Sequence, residues 1–210
     1  MSHKCFISFK KEDNYYKDKI LERLGIERIK GKALDKWIDS DDLDYVMQVI
    51  RREYLSNTSV TLYLIGSNSS ENEGLDYRGY NKQNYMIKEL QATLFNRKSN
   101  RRSGLLGIVL PHVEQKIYSG TEYCENCGTT HNIVNINDTT TLREFSQNYY
   151  LKPIENGCFN AYEEEGRYCV LVRYSDFMTN PNEFIDFAFE KTLKPIANHV
   201  HWRDIKHKGN

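Results

Sequence analysis

Asn57-Thr58-Ser59-Val60-Thr61-Leu62-Tyr63-Leu64-Ile65-Gly66-Ser67 is the stretch that decides the fold. From Val60 to Ile65 it is nearly all apolar or β-branched. A strand with one face in water alternates polar and apolar residues, whereas one covered on both faces does not. The run therefore reads as an inner strand of a parallel sheet with helices on either side. Gly66-Ser67-Asn68-Ser69-Ser70 ends it, and a polar, glycine-containing loop runs on to about Asn81.

Working outward, the flanks keep alternating strand and helix. Lys4 to Phe9 reads as a short buried strand, followed by charged Lys10 to Asp13 and then Tyr16, Ile20, Leu21 and Leu24 at helical spacing. Ala33 to Ile38 reads as a second strand. Asp39-Ser40-Asp41-Asp42 offers an N-cap and an acidic first turn, and Leu43, Val46, Met47, Ile50 and Tyr54 form the apolar stripe of the next helix. Lys82 to Asn96 places Met86, Ile87, Leu90, Thr93 and Leu94 on one helical arc. Leu105 to Leu110 is a fourth buried strand, stopped by Pro111. Strands alternating with helices imply an α/β fold with a parallel sheet, right-handed crossovers and ligand-binding loops gathered at one sheet edge.

Beyond Pro111 the pattern changes. Residues 111–166 read as an insertion carrying a cysteine pair, with Leu142 to Leu151 as a short helix inside it. Tyr168 to Tyr174 reads as the fifth sheet strand. Residues 181–210 are a C-terminal helix, begun by Pro181 and carrying Phe184, Phe187 and Ala188, with a basic tail. The expectation is a single domain over 1–210: a five-stranded parallel sheet flanked by helices, with the insertion before its last strand.

The composition limits the partners. Of 210 residues, 29 are Lys or Arg and 29 are Asp or Glu, so the formal charge is zero and argues against a nucleic-acid binder. With 39% hydrophobic and 28% charged residues the chain is not mostly disordered. No apolar run approaches the roughly 20 residues of a membrane helix, and Lys10 to Asp13 follow too soon for a signal peptide. A cytoplasmic protein is expected, with its five cysteines reduced or metal-bound. Arg97, Lys98, Arg101 and Arg102 read as a solvated helix end, and His199-Val200-His201 as ordinary surface.

Two constellations carry chemistry. Phe6 to Phe9, Trp37 to Asp41 and Gly66 to Ser70 all end at the same sheet edge. Glu89 lies on the rim of its helix's apolar arc, one turn from Tyr85 and Thr93. It reads either as a partly desolvated carboxylate facing a pocket or as an exposed helix residue paired with a lysine. Separately, Cys124-Glu125-Asn126-Cys127-Gly128 with His131 has the spacing of a zinc knuckle. Cys158 is the fourth ligand chosen, with Cys169 and His112 as alternatives. A redox pair or two plain thiols are the other readings of the cysteines.

At these residues the chain resembles TIR domains. His3-Lys4-Cys5-Phe6-Ile7-Ser8-Phe9 resembles their opening strand, which often reads F-I-S-Y or F-I-S-F. Thr58 to Ser67 resembles the T-S-V-T-x-x-L-I-G-S strand of a bacterial TIR-like group that includes Thoeris anti-phage proteins. Tyr85-Met86-Ile87-Lys88-Glu89-Leu90-Gln91-Ala92-Thr93 is similar in spacing to the group's W-V-x-x-E-I-x-x-S helix. The resemblance implies a TIR-like, flavodoxin-like sheet and an enzyme that consumes NAD+, with Glu89 as the catalytic carboxylate. Substrate contacts are implied at Phe6, Ser8, Phe9, Trp37, Asp39, Ser40, Ser67 and Tyr85. It further implies a cyclised ADP-ribose signal that activates a separate effector protein, and self-association through TIR surfaces. The alternatives are a non-catalytic TIR scaffold and a nucleotide-binding signalling module.

Overall fold

The computed structural model describes residues 3–30, 43–70, 74–75, 77, 79, 84–96, 101–153 and 164–202. The first half contains β1 (Cys5–Ser8), α1 (Asn14–Leu24), β2 (Ile29–Lys30), α2 (Leu43–Glu53), β3 (Val60–Ile65), α3 (Asn84–Leu94) and β4 (Gly104–Val109). The second half contains α4 (Glu114–Ile117), β5 (Tyr118–Cys124), β6 (Thr129–Val134), α5 (Arg143–Tyr149), β7 (Val170–Arg173), α6 (Tyr174–Thr179) and α7 (Pro181–Lys191).

The sheet runs β2-β1-β3-β4-β7, every neighbour parallel. β1, β3, β4 and β7 make its body, and β2 adds only Ile29 and Lys30 at the edge. The expected second strand at Ala33 to Ile38 lies outside the described residues, as do Trp37, Asp39 and Ser40. All residues of β3 and β4 are buried, as the unalternating Val60–Ile65 run requires. Among the described residues no helix is long and apolar enough to cross a membrane.

Two glycines of β4 show how close the covering layers come. A methyl group on Gly104 would run into the backbone carbonyl of Ala188, so α7 lies directly on that face. A methyl group on Gly107, three residues on and therefore on the opposite face, would meet the Phe145 ring of α5. Cys5 and Ile7 pack in one core with Ile20 and Leu24 of α1. Phe6 faces the other way, among Val46, Met47 and Ile50 of α2 and Ala92 of α3.

Arg102 corrects the reading of a wholly solvated basic cluster. It is half-buried, donates to the Ala197 carbonyl and lies 5.9 Å from the Tyr168 ring centroid. Burial lowers its pKa.

Between β4 and β7 the chain makes an antiparallel β5–β6 hairpin, separate from the main sheet. The Asn135 N–H donates to the Ile117 carbonyl at 2.7 Å, so the chain enters and leaves the hairpin at one place.

Candidate active site

The order β2-β1-β3 reverses the direction of travel at β1, so a crevice is expected beyond the C-terminal ends of β1 and β3. Ser8 is the last residue of β1. It shares a face with Phe6, two residues back, and that face meets α3. Phe6 packs near Ala92; one helical turn before Ala92, at the level of Ser8, comes Glu89. The Ser8 hydroxyl donates to Glu89 Oε2 at 2.7 Å. Ser8 is fully buried and Glu89 is 3% exposed. Glu89 is therefore not the exposed helix residue of the alternative reading.

Three further contacts set the depth and tilt of α3. The Thr93 hydroxyl donates to the Glu89 carbonyl at 2.8 Å and lies 2.8 Å from Thr61 Oγ1 on β3. Gln91 donates to Glu144 of α5 at 2.8 Å. Arg51 of α2 donates to the carbonyls of Ala92, at 2.6 Å, and Thr93, in the last turn of α3, and to that of Arg101. Carbonyls of a last helical turn have no partner within the helix, and a guanidinium fork supplies one. Desolvation pulls the Arg51 pKa down to about 10, which leaves it charged at neutral pH.

After β1, β3 and β4 lies a second polar group. Asp13, just ahead of α1, is buried and rests against Gly66, where a methyl group would collide with its carboxylate. His112 Nε2 is 4.0 Å from Asp13 Oδ1 and accepts from the Ser67 N–H at 3.3 Å. Desolvation raises the Asp13 pKa; His112 opposes this. The turn after β3 is fixed by the Gly66 N–H donating to Ser69 Oγ at 2.9 Å and by Tyr63 Oη donating to the Ser69 carbonyl at 2.8 Å.

The sequence-derived candidates divide. Ser8 and Glu89 come together. Phe9 is partly buried at the same strand end, with Lys17 Nζ 5.5 Å from its ring centroid. Ser67 is exposed beside His112, and Tyr85 is exposed on the first turn of α3. Phe6 is corrected: it is wholly enclosed by α2 and α3 and offers no surface to a ligand. Sequence reasoning missed Asp13 as a buried group and Gly66 as its seat. A signal existed for Gly66 alone, since a glycine ending a buried strand marks a close approach.

Cys124, Cys127 and His131 converge on the hairpin, their ligand atoms all within 4.8 Å of one another. His112 is engaged at Ser67 instead. Cys169 is fully buried, its thiol pushed well up by desolvation. Cys158 lies outside the described residues.

A family model described as "Thoeris protein ThsB, TIR-like domain" matches residues 6–115, which include β1 through β4 and Glu89. Comparisons with curated proteins and with solved structures return no match.

Proposed function

The chain belongs to the family of TIR-like domains of the Thoeris protein ThsB, and on that basis we propose that it cleaves NAD+ and releases an ADP-ribose-derived, cyclic signal in anti-phage defence. The observation that carries this reading is the buried Ser8–Glu89 pair at the C-terminal end of β1.

The chemistry asks little of the protein. The bond between the nicotinamide nitrogen and the ribose carbon breaks, and its electron pair leaves with nicotinamide, neutralising the ring's positive charge. No general acid is needed. The ribose becomes an oxocarbenium-like cation, as in glycoside cleavage. A fixed carboxylate that accepts from the ribose hydroxyls orients the sugar and opposes the developing charge. Glu89 is suited to this because Ser8 holds one of its oxygens and α3 is braced on three sides. Phe9 and Trp37 are the proposed stacking surfaces for the planar rings. Asp39, Ser40, Ser67 and Tyr85 are the proposed polar contacts. Attack by water gives ADP-ribose; attack by an adenine nitrogen or a ribose hydroxyl gives a ring. Excluding water favours the ring. The product acts on a separate effector protein, and the domain self-associates through its TIR surfaces.

The test is made in phage-infected cells, where the activating trigger is present. NAD+ is measured by chromatography and ADP-ribose-derived nucleotides by mass spectrometry. Wild type should deplete NAD+ and accumulate such a nucleotide. Glu89→Gln should lower the product by about 100-fold or more, and Ser8→Ala by about 10-fold. Equal NAD+ loss in wild type and Glu89→Gln would falsify the reading. Unchanged NAD+ in wild-type cells would leave a non-catalytic TIR scaffold in its place.

A further inference from the structure

We propose that the tip of the β5–β6 hairpin is a Zn2+ site formed by Cys124, Cys127 and His131, independent of the chemistry at Glu89. The three side chains offer two sulfurs and an imidazole nitrogen within 4.8 Å of one another. Zinc bonds of about 2.3 Å to sulfur and about 2.0 Å to nitrogen put tetrahedral corners roughly 3.3–3.8 Å apart. Cys127 Sγ and His131 Nε2 are 3.1 Å apart, so only small side-chain adjustments would seat an ion.

Backbone register produces the cluster. Cys124 pairs across the hairpin with Thr129, and Glu122 with His131. Residues two apart on a strand share a face, so Cys124, Thr129 and His131 project from one side of the ribbon. The turn then brings Cys127 over that side. Gly128 has φ +69° and its N–H donates to the Cys124 carbonyl at 2.9 Å. A residue with a β-carbon is strained at that φ, which gives the glycine after the second cysteine its purpose. Thr129 Oγ1 lies 2.9 Å from Cys127 Sγ, a second partner for a thiolate.

β5 and β6 are exposed or half-exposed along their whole length. A two-stranded ribbon without an apolar face is marginal in water. A metal bound only by the folded arrangement converts its binding free energy into order at that tip. The thiols divide accordingly. Cys5 and Cys169 are buried and their pKa values are raised, whereas Cys124 and Cys127 are accessible to an ion. The three residues fill three corners of a tetrahedral site.

The test uses the full-length chain, free of any metal-binding tag, from zinc-supplemented cells. Elemental analysis should give about one zinc per chain. The double variant Cys124→Ser/Cys127→Ser, and separately His131→Ala, should each retain less than a tenth of that, with the near-UV circular dichroism of the folded sheet kept. Stripping zinc from the wild type with a strong chelator should speed proteolysis between 118 and 134 at least tenfold, and adding Zn2+ back should restore protection. Less than a tenth of an equivalent in the wild type would overturn the site. So would equal zinc in the double variant, or a Cys124–Cys127 disulfide in freshly purified protein.

Discussion

Two buried carboxylates flank the expected crevice, and their surroundings differ. Glu89 accepts from a hydroxyl donor at 2.7 Å, which fixes the carboxylate's direction. Asp13 has His112 at 4.0 Å and is pressed against Gly66. Desolvation dominates there and raises its pKa. A carboxyl whose pKa is raised on folding adds stability while protonated, below its unfolded value near 3.8, and that stability is lost as pH rises through the folded pKa. Asparagine at this position carries no charge at any pH. Asp13→Asn should therefore melt with the wild type below about pH 4 and above it at pH 7. Thermal melts across that interval check this, and a variant less stable than wild type at pH 7 would contradict it. Both Ser8 and Glu89 could be picked out from their places in local motifs. Their hydrogen bond could not, because it depends on the depth at which α3 lies across β1. The same limit hid Asp13, whose neighbours in sequence, Lys10, Lys11 and Glu12, suggest nothing but a solvated turn.

At the scale of elements, periodicity carried far where burial is uniform and failed where a side chain crosses between layers. Val60–Ile65 was legible as a strand to the residue, because its unalternating, partly β-branched run is six residues long and ends at Gly66. The helix around Glu89 was legible from its arc, with ends two residues wide of Asn84 and Leu94. Arg51 was not. In sequence it is one more cation at the end of α2, beside Arg52. In the fold it is buried and bonded to three carbonyls around the end of α3. Leucine there would leave those carbonyls without a charged donor in a closed space, at a cost of about 2–4 kcal/mol. Because α3 carries Glu89 one turn earlier, the shift should also reach the Ser8–Glu89 pair. Arg51→Leu should lower the urea midpoint accordingly. On the proposed chemistry it should reduce kcat about 10- to 100-fold, with KM moving less. A variant with a lowered urea midpoint and unaltered kcat would mean that α3 is held by Thr61 and Gln91 alone.

For the whole molecule, the family match ends at residue 115, but the folding unit does not. β4 at that point has a neighbour on one side only. Its other edge is taken by β7, from Leu106 opposite Val170 to Val109 opposite Arg173. One face at Gly104 is closed by α7, and the other at Gly107 by α5. All three elements come from beyond residue 140. A fragment ending at Ile117 would present β4 as an open apolar edge strand, without α7 over Gly104 and without Phe145 of α5 over Gly107, an arrangement that pairs with other chains. The hairpin stands in contrast. Tyr118 and Val134 face each other at its base, and the base touches the rest through Tyr150 Oη donating to the Val134 carbonyl at 2.6 Å and Arg173 lying 4.3 Å from the Tyr118 ring centroid. Replacing residues 119–133 by Gly-Gly keeps both of these contacts and joins strands already in register. The shortened chain should melt cooperatively within about 5 °C of wild type, which corresponds to roughly 1–2 kcal/mol for a domain of this size. The fragment 1–117 should show no cooperative melt and should aggregate. Static light scattering and calorimetry on the two proteins, side by side, decide it. A soluble, cooperatively melting 1–117 fragment would mean that the matched half folds alone and that β7 and α7 are additions to it.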